Sequence, residues 1–299
     1  MTINAYVLAA DPTWLERSVG AYYPWVDTIV VSFDRSFRGW TGAPIPVEAC
    51  LARLEAMDPL RKMVFVPGDF STAVADPMAN DTLQRNCALA RASQGADWVL
   101  QLDTDEWIPD VEVLLRVLQR SVPEDCMGVE WPMRVLYRSL GGNKALEVCA
   151  QDGTDHYEYI APVAVRAHAR LTHSRRVDGK FLRAVVRGDQ TSIQMQRPPA
   201  VGEIRCECLT PREVIVHNSW ARPPRMLQRK LASWSHSCAK VWWYYLTHWL
   251  PATWRWRWRG MRNFHPFFGE VWPALRVAEL PFPITECKDA ASVAEGRLG

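Results

Sequence analysis

Residues 5–10 form an apolar run closed by Asp11-Pro12, the pattern of a buried strand ending in a turn. Trp14, Leu15 and Val19 follow near helical spacing within residues 14–23. Residues 28–33 are β-branched and aromatic, predicting a second strand that ends at Asp34. Cys50, Leu51, Leu54 and Met57 share one face of a helix predicted over 47–57. A third strand is predicted over 62–66, stopped by Pro67-Gly68. Asp81 reads as an N-cap with Gln84 as its capping-box partner. That helix runs to about Ser93 with Leu83, Cys87 and Ala90 inward, and Gly95 ends it. A fourth strand over 98–102 delivers Asp103-Thr104-Asp105-Glu106, and an amphipathic helix comes next over 111–119.

Strands alternating with helices predict an α/β fold, a mostly parallel sheet with helices on both faces. Ligands in such sheets bind beyond the carboxyl ends of the strands. Asp11, Asp34 and Asp103 each stand just after a predicted strand, so three carboxylates converge on one edge. Beyond residue 125 the rhythm is lost. Strand-like pieces occur near 127–135, 161–167 and 213–216, residues 190–210 read as a loop or hairpin, and 285–299 as a frayed tail.

Composition narrows the classes. With 299 residues, 48% apolar and 23% charged, the chain suits one large globular domain or two intimate ones. A net charge of +2, with no nucleic-acid motif beside the aromatics, argues against nucleic-acid binding. None of the eight Cys has CxxC spacing, and the Cys206/Cys208 pair has no second pair to complete a zinc site, so all read as reduced thiols. The N-terminus lacks a basic leader region and no run of ~18 apolar residues occurs, so a cytoplasmic protein is expected.

Asp103 and Asp105 carry the chemistry. A divalent ion held by one or two carboxylates plus phosphate oxygens is a common answer to diphosphate charge. Residues i and i+2 of an extended segment point the same way and can reach one ion. An Asx-turn is the plainer reading of the same residues. The stretch Gln84-Arg85-Asn86-Cys87-Ala88-Leu89-Ala90, then Gly95-Ala96-Asp97-Trp98-Val99-Leu100-Gln101-Leu102-Asp103-Thr104-Asp105-Glu106, resembles the donor-binding core of family 2 glycosyltransferases. The resemblance implies their GT-A fold, a Rossmann-like sheet followed by an irregular acceptor half. It also implies a Mn2+- or Mg2+-dependent transfer from a nucleotide sugar, UDP-linked and inverting. Asp105 would bind the metal directly, and Asp103 would reach the ribose or the metal. Arg85 would lie near the uracil or the diphosphate, Asp34 near the base, and Asp11 against the nucleotide. At Asp34 this chain reads Ser-Phe-Asp-Arg-Ser where the family has Asp-Asp-x-Ser. The implied layout is a nucleotide-sugar half over 1–125, an acceptor half over 126–240 and a Trp/Arg-rich segment over 241–299.

His217 ends a short β-branched strand, and by the same resemblance a late His completes the metal shell; imidazole suits Mn2+. Arg222, Arg225, Arg229 and Lys230 come after it, either countering a diphosphate or forming a solvated face. An inverting enzyme needs a carboxylate to deprotonate the acceptor hydroxyl. Among Asp152, Asp155, Glu158 and Asp178, the turn residues Asp155 and Asp178 are the preferred catalytic candidates. Trp254, Trp256 and Trp258 alternate with Arg255, Arg257 and Arg259. That pattern fits peripheral contact with the inner face of a membrane and a glycan or lipid-linked acceptor, an aromatic lid, or a helix packed on the core. The competing functions are a catalytically silent nucleotide-binding protein and a nucleotidyltransferase. The latter needs a Gly-rich phosphate loop, and none occurs after the first strand.

Overall fold

The computed structural model describes residues 1–71, 73, 75–269 and 271–284, without the side chain of Arg259. The tail expected over 285–299, with Cys287, lies outside the described residues. The first part runs β1 (Ile3–Leu8), α1 (Leu15–Tyr22), β2 (Ile29–Asp34), α2 (Val47–Ala56), β3 (Met63–Gly68), α3 (Pro77–Ala92) and β4 (Trp98–Leu100). All six residues of β1 are buried because helices cover both faces of the sheet. The two-residue period divides them. Ile3, Ala5 and Val7 pack with Leu15, Val19 and Tyr22 of α1 and Cys50 and Leu54 of α2. Tyr6 and Leu8 pack with Ala88, Leu89 and Ala92 of α3.

The chain continues through β5 (Glu106–Trp107), α4 (Val111–Arg120), β6 (Cys126–Glu130), β7 (Met133–Gly141), β8 (Lys144–Cys149) and β9 (Pro162–Arg166). The hairpin β10 (Leu171–His173) and β11 (Arg176–Val177) comes next, then β12 (Lys180–Val186), α5 (Ile193–Gln196) and β13 (Glu203–Leu209). The last elements are β14 (Ile215–His217), α6 (Pro224–Ser233), α7 (Ala239–Tyr244), α8 (Ala252–Arg259) and β15 (Ala274–Glu279). The main sheet has eight strands in the order β13-β12-β6-β9-β4-β1-β2-β3. Every neighbouring pair is parallel except the two made by β9, which runs against both β4 and β6. The fold is therefore α/β with a mostly parallel sheet, as the alternating pattern predicts. A second sheet of five strands, β15-β8-β7-β14-β5, stands beside it.

Two local expectations change. Helix α3 begins at Pro77, with the Asp76 side chain accepting from Met78 N at 3.0 Å; Asp-Pro supplies an N-cap and the N1 proline. Asp81 is thus a buried residue one turn in, and Leu83, Cys87 and Ala90 face solvent. The inward face carries Asp81, Gln84 and Arg85, because it borders a polar cavity rather than the core. Residues 190–210 are not a loop or hairpin but contain α5 and β13. Ile204, Cys206 and Cys208 of β13 alternate toward the core, a pattern muted by its cysteines.

The Trp-rich segment is helical. Tyr244, Tyr245, Trp249 and Ala252 pack on Val135, Tyr137, Leu146 and Val148 of the second sheet. Pro251 has no N–H to give the Thr247 carbonyl four residues back, and Arg255 Nη1 supplies that donor at 2.8 Å. Trp256 turns inward and donates to the Leu275 carbonyl at 3.1 Å, while Trp254 and Trp258 face out. No helix among the described residues is long and apolar enough to cross a membrane.

Candidate functional site

A cavity of about 940 Å3 opens beyond the carboxyl ends of β1, β2 and β4. Asp11, Asp34, Arg85, Asp103, Asp105 and His217 all line it. Asp155 and Asp178 do not. Asp155 accepts from Arg276 at 2.5 Å and from the Tyr157 hydroxyl at 3.0 Å, and Asp178 is exposed in the turn after β11. Glu158, the third of the four carboxylates considered from sequence, lines the cavity instead.

Each carboxylate has assigned partners. Asp34 closes the ends of β2 and β3: Oδ1 accepts from Ser36 N and Oγ, and Oδ2 from Phe70 N and Ser71 N. Burial alone would raise this carboxyl, but the Ser36 hydroxyl and the three N–H groups hold it below its usual value. With both oxygens engaged, Asp34 shapes the cavity wall. Asp103 is gripped by Arg85, whose Nη1 and Nη2 donate to its two oxygens at 3.0 and 3.2 Å. Arg85 is aimed by Asp81, one helical turn back, which accepts from its Nε at 2.6 Å. Burial works against the Asp103 carboxylate, but Arg85 and then Arg175 hold it ionised well below the usual range.

Arg175 comes from the turn between β10 and β11, where Ser174 adopts a left-handed φ of 51°. That turn is pinned to α3: Ser174 N donates to Thr82 Oγ1 at 2.8 Å and Ser174 Oγ to Asp81 at 2.9 Å. Arg175 then makes a two-pronged pair with buried Glu106, both contacts at 2.6 Å. No sequence pattern marks this arginine.

His217 reaches the site because β14 pairs antiparallel with β5, placing it opposite Glu106. The next residue ties the turn, Asn218 N donating to the Asp105 carbonyl at 2.8 Å. Asp105 Oδ2 accepts from Arg222 Nη2 at 2.6 Å and Lys230 Nζ at 2.8 Å, and Oδ1 faces His217 Nε2 at 3.8 Å. Arg222 also pairs with Asp11. Burial lowers the His217 imidazole more than Asp105 and Glu106 raise it, so the ring is neutral at neutral pH. Burial likewise pulls the Lys230 ammonium down against the pull of Asp105.

These contacts bear on the expected metal. Arg85 occupies both oxygens of Asp103, so Asp105 Oδ1 and the neutral His217 are the pair left facing each other. Among the described residues no group of three His, Cys, Asp or Glu is disposed to hold an ion. Two protein ligands still suffice for an ion whose other ligands are phosphate oxygens and water.

The other end of the cavity is aromatic. Trp220, Trp234, Trp272, His265 and Phe267 line it. Trp220 meets Trp272 and Trp234 edge-on at 6.0 and 6.3 Å, and His265 meets Trp272 at 4.5 Å. Glu158 sits among them and accepts from Trp272 Nε1. Its backbone is fixed by paired bonds with Met133, each 2.9 Å. Burial pushes its carboxyl up to about 7, with the Trp272 bond pulling weakly the other way.

Fold and site thus define an α/β protein with a charged and aromatic cavity at the strand ends. No protein-family model and no curated protein matches the chain. Three solved structures are similar to parts of it. One is a 4-diphosphocytidyl-2C-methyl-D-erythritol synthase from Anaerococcus prevotii, with 14% identity over 56% of this chain and 70% of that one and a TM-score of 0.31. A second is a mannosyltransferase from Pyrobaculum calidifontis, in complex with GDP-Man and Mn2+, with 13% identity over 43% of this chain and 34% of that one and a TM-score of 0.31. A third is a mannose-6-phosphate isomerase from Helicobacter pylori, with 12% identity over 51% of this chain and 57% of that one and a TM-score of 0.29. The chain thus spans about a third of the mannosyltransferase's length and little more than half of the isomerase's. Likenesses this partial define neither a family nor an activity.

Proposed function

We propose that the protein is a glycosyltransferase that moves a sugar from a nucleotide-sugar donor, UDP-linked, to a hydroxyl of a glycan or a lipid-linked or small acceptor. The carrying observation is the division of one cavity into a cationic end and an aromatic end that holds a buried carboxyl. At the cationic end Arg222, Lys230, Arg225 and Arg229 face a diphosphate, and Asp103, oriented by Arg85, accepts from ribose hydroxyls. At the aromatic end the partly exposed Trp234 and Phe267 offer apolar surface to a sugar ring, and Glu158 takes the proton from the attacking hydroxyl. The acceptor oxygen bonds to the anomeric carbon as its bond to the diphosphate breaks. The nucleoside diphosphate leaves with the electron pair, and the anomeric configuration inverts.

Asp105 and His217 would hold a divalent ion, Mn2+ or Mg2+, which when bound supplies positive charge beside the leaving diphosphate. The residues over 1–125 would form the donor half and those over 126–240 the acceptor side, the latter also lending His217, Arg222, Arg225, Arg229 and Lys230 to the donor's diphosphate, with His265, Phe267 and Trp272 from beyond residue 240 at the aromatic end. Calorimetry with UDP, GDP and UMP, with and without Mn2+, tests the reading. Binding of a nucleoside diphosphate more tightly than the monophosphate supports it, and absence of nucleotide binding by folded protein overturns it.

A further inference from the structure

Between Val214 and Gly269 lie nine of the chain's 35 Lys and Arg and none of its 33 Asp and Glu, together with eight of its 15 Trp. Within that stretch α7, the π-helical turn Tyr245–Trp249 and α8 succeed one another almost without a break. This segment has two apolar faces. Val241, Tyr244, Tyr245, Trp249 and Ala252 are buried on the second sheet. On the other side Trp243, Leu246, Leu250, Trp254 and Trp258 recur three, four, four and four residues apart, the spacing of one helical stripe. Trp243, Trp254 and Trp258 are 67, 63 and 75% exposed. Lys240, Arg257 and Arg262 are exposed in the same stretch, and Phe268, 66% exposed, also lines the cavity. A soluble surface rarely leaves so many large apolar side chains together without a partner.

We propose that this stripe docks the protein on an anionic lipid bilayer, lying in the headgroup region without crossing it. Indole rings settle at headgroup depth, apolar body inward and N–H toward water, and Arg and Lys meet lipid phosphate beside them. The charge asymmetry selects the occupant. The exposed cations beside the stripe, Lys240, Arg257 and Arg262, in a stretch of chain without an acidic residue, complement a negative surface, whereas a second copy would set cation against cation. An in-plane helix of this kind needs no membrane-spanning length. The inference stands apart from the transfer chemistry, since none of its anchoring residues belongs to the charged end of the cavity.

Co-sedimentation of the full chain tests it, using vesicles of phosphatidylcholine alone and of phosphatidylcholine with phosphatidylserine. Wild type should bind the anionic vesicles and release as salt rises. Lys240→Gln, Arg257→Gln and Arg262→Gln should each weaken binding at low salt by about fivefold. Trp243→Ser, Trp254→Ser and Trp258→Ser together should abolish binding at any salt while the melting temperature holds, because those rings are exposed. Folded wild type that stays in the supernatant with anionic vesicles overturns the proposal. So does a triple Trp variant that binds as wild type does, or one that melts well below it. A wild-type dimer that the same three substitutions split would assign the face to a second copy and overturn it too.

Discussion

Lys230 Nζ lies 2.8 Å from Asp105 Oδ2, across 125 residues of chain, and shares that oxygen with Arg222. A carboxylate with two cations on one oxygen anchors a cationic pair, and it is that pair that would attract a diphosphate. Lys230→Met removes one donor of that pair and leaves Arg222 on Asp105. The affinity for UDP should fall by roughly tenfold, the worth of one charge-assisted hydrogen bond of about 1.5 kcal/mol, while the melting temperature changes little. Calorimetry reads the affinity, and an unchanged value would make Lys230 a purely structural partner of Asp105.

Asp105→Asn and His217→Ala should behave differently. The Asn variant leaves Lys230 buried with no full charge opposite and Arg222 with Asp11 alone, at a cost of about 3 kcal/mol in unfolding free energy by denaturant titration. His217→Ala removes a neutral ring whose Nδ1 has no partner, so stability should fall far less. It should instead raise the Mn2+ concentration needed for nucleotide binding. Equal metal titrations for wild type and His217→Ala would remove the histidine from the ion.

Glu158 gives a pH signature of defined sign. Its folded-state value is raised to about 7, so the native state holds a proton that the unfolded chain releases near 4.5. Stability should therefore decline as pH rises through that window, by on the order of 3 kcal/mol. Glu158→Gln keeps an acceptor for Trp272 Nε1 and cannot ionise. It should lose the decline, be the more stable protein above pH 7, and lack the rise in kcat/KM expected of wild type as pH passes about 7. A variant that transfers sugar with the wild-type pH profile would exclude Glu158 as the proton acceptor.

Asp34→Ala should destabilise the protein by at least about 2 kcal/mol, since the N–H groups of Phe70 and Ser71 lose a charged acceptor in a buried setting. The Asp34 carboxyl is held below its usual value, so its contribution is present at neutral pH and lost as pH falls through the folded-state value. Acid unfolding of wild type and variant should converge at low pH. Loss of nucleotide affinity without loss of stability would point to a direct base contact instead.

The frame of this site is readable in the sequence because strands covered on both faces leave continuous apolar runs, and each run must end in polar residues where the strand leaves the core. That logic places Asp11, Asp34, Asp103 and Asp105 at one edge. It fails where a residue's task depends on distant chain. Arg175 is delivered by a turn held to α3 through Ser174, and nothing local distinguishes it from its neighbour Arg176. Glu158 is one carboxylate among four, and only the packing of Trp272 against it, 114 residues away, separates it from Asp155 and Asp178. The inward polar face of α3 defeats a rule that equates inward with apolar, because the helix borders a cavity.

The antiparallel strand β9 has a bearing on how the chain can be divided. It is the seam between β4 and β6, and its residues Val163, Ala164 and Val165 are buried at that seam. A fragment ending near residue 125 would carry β1 to β4 but expose the flank of Trp98, Val99 and Leu100, an uncharged apolar border three residues long. Such a border invites other chains to add themselves in place of the missing strand. The matching fragment would hold β13, β12, β6 and β9 with the β4-facing edge of β9 bare. Truncation at that point should give aggregates rather than a soluble half-molecule, and a split version would need both pieces made together in the same cell.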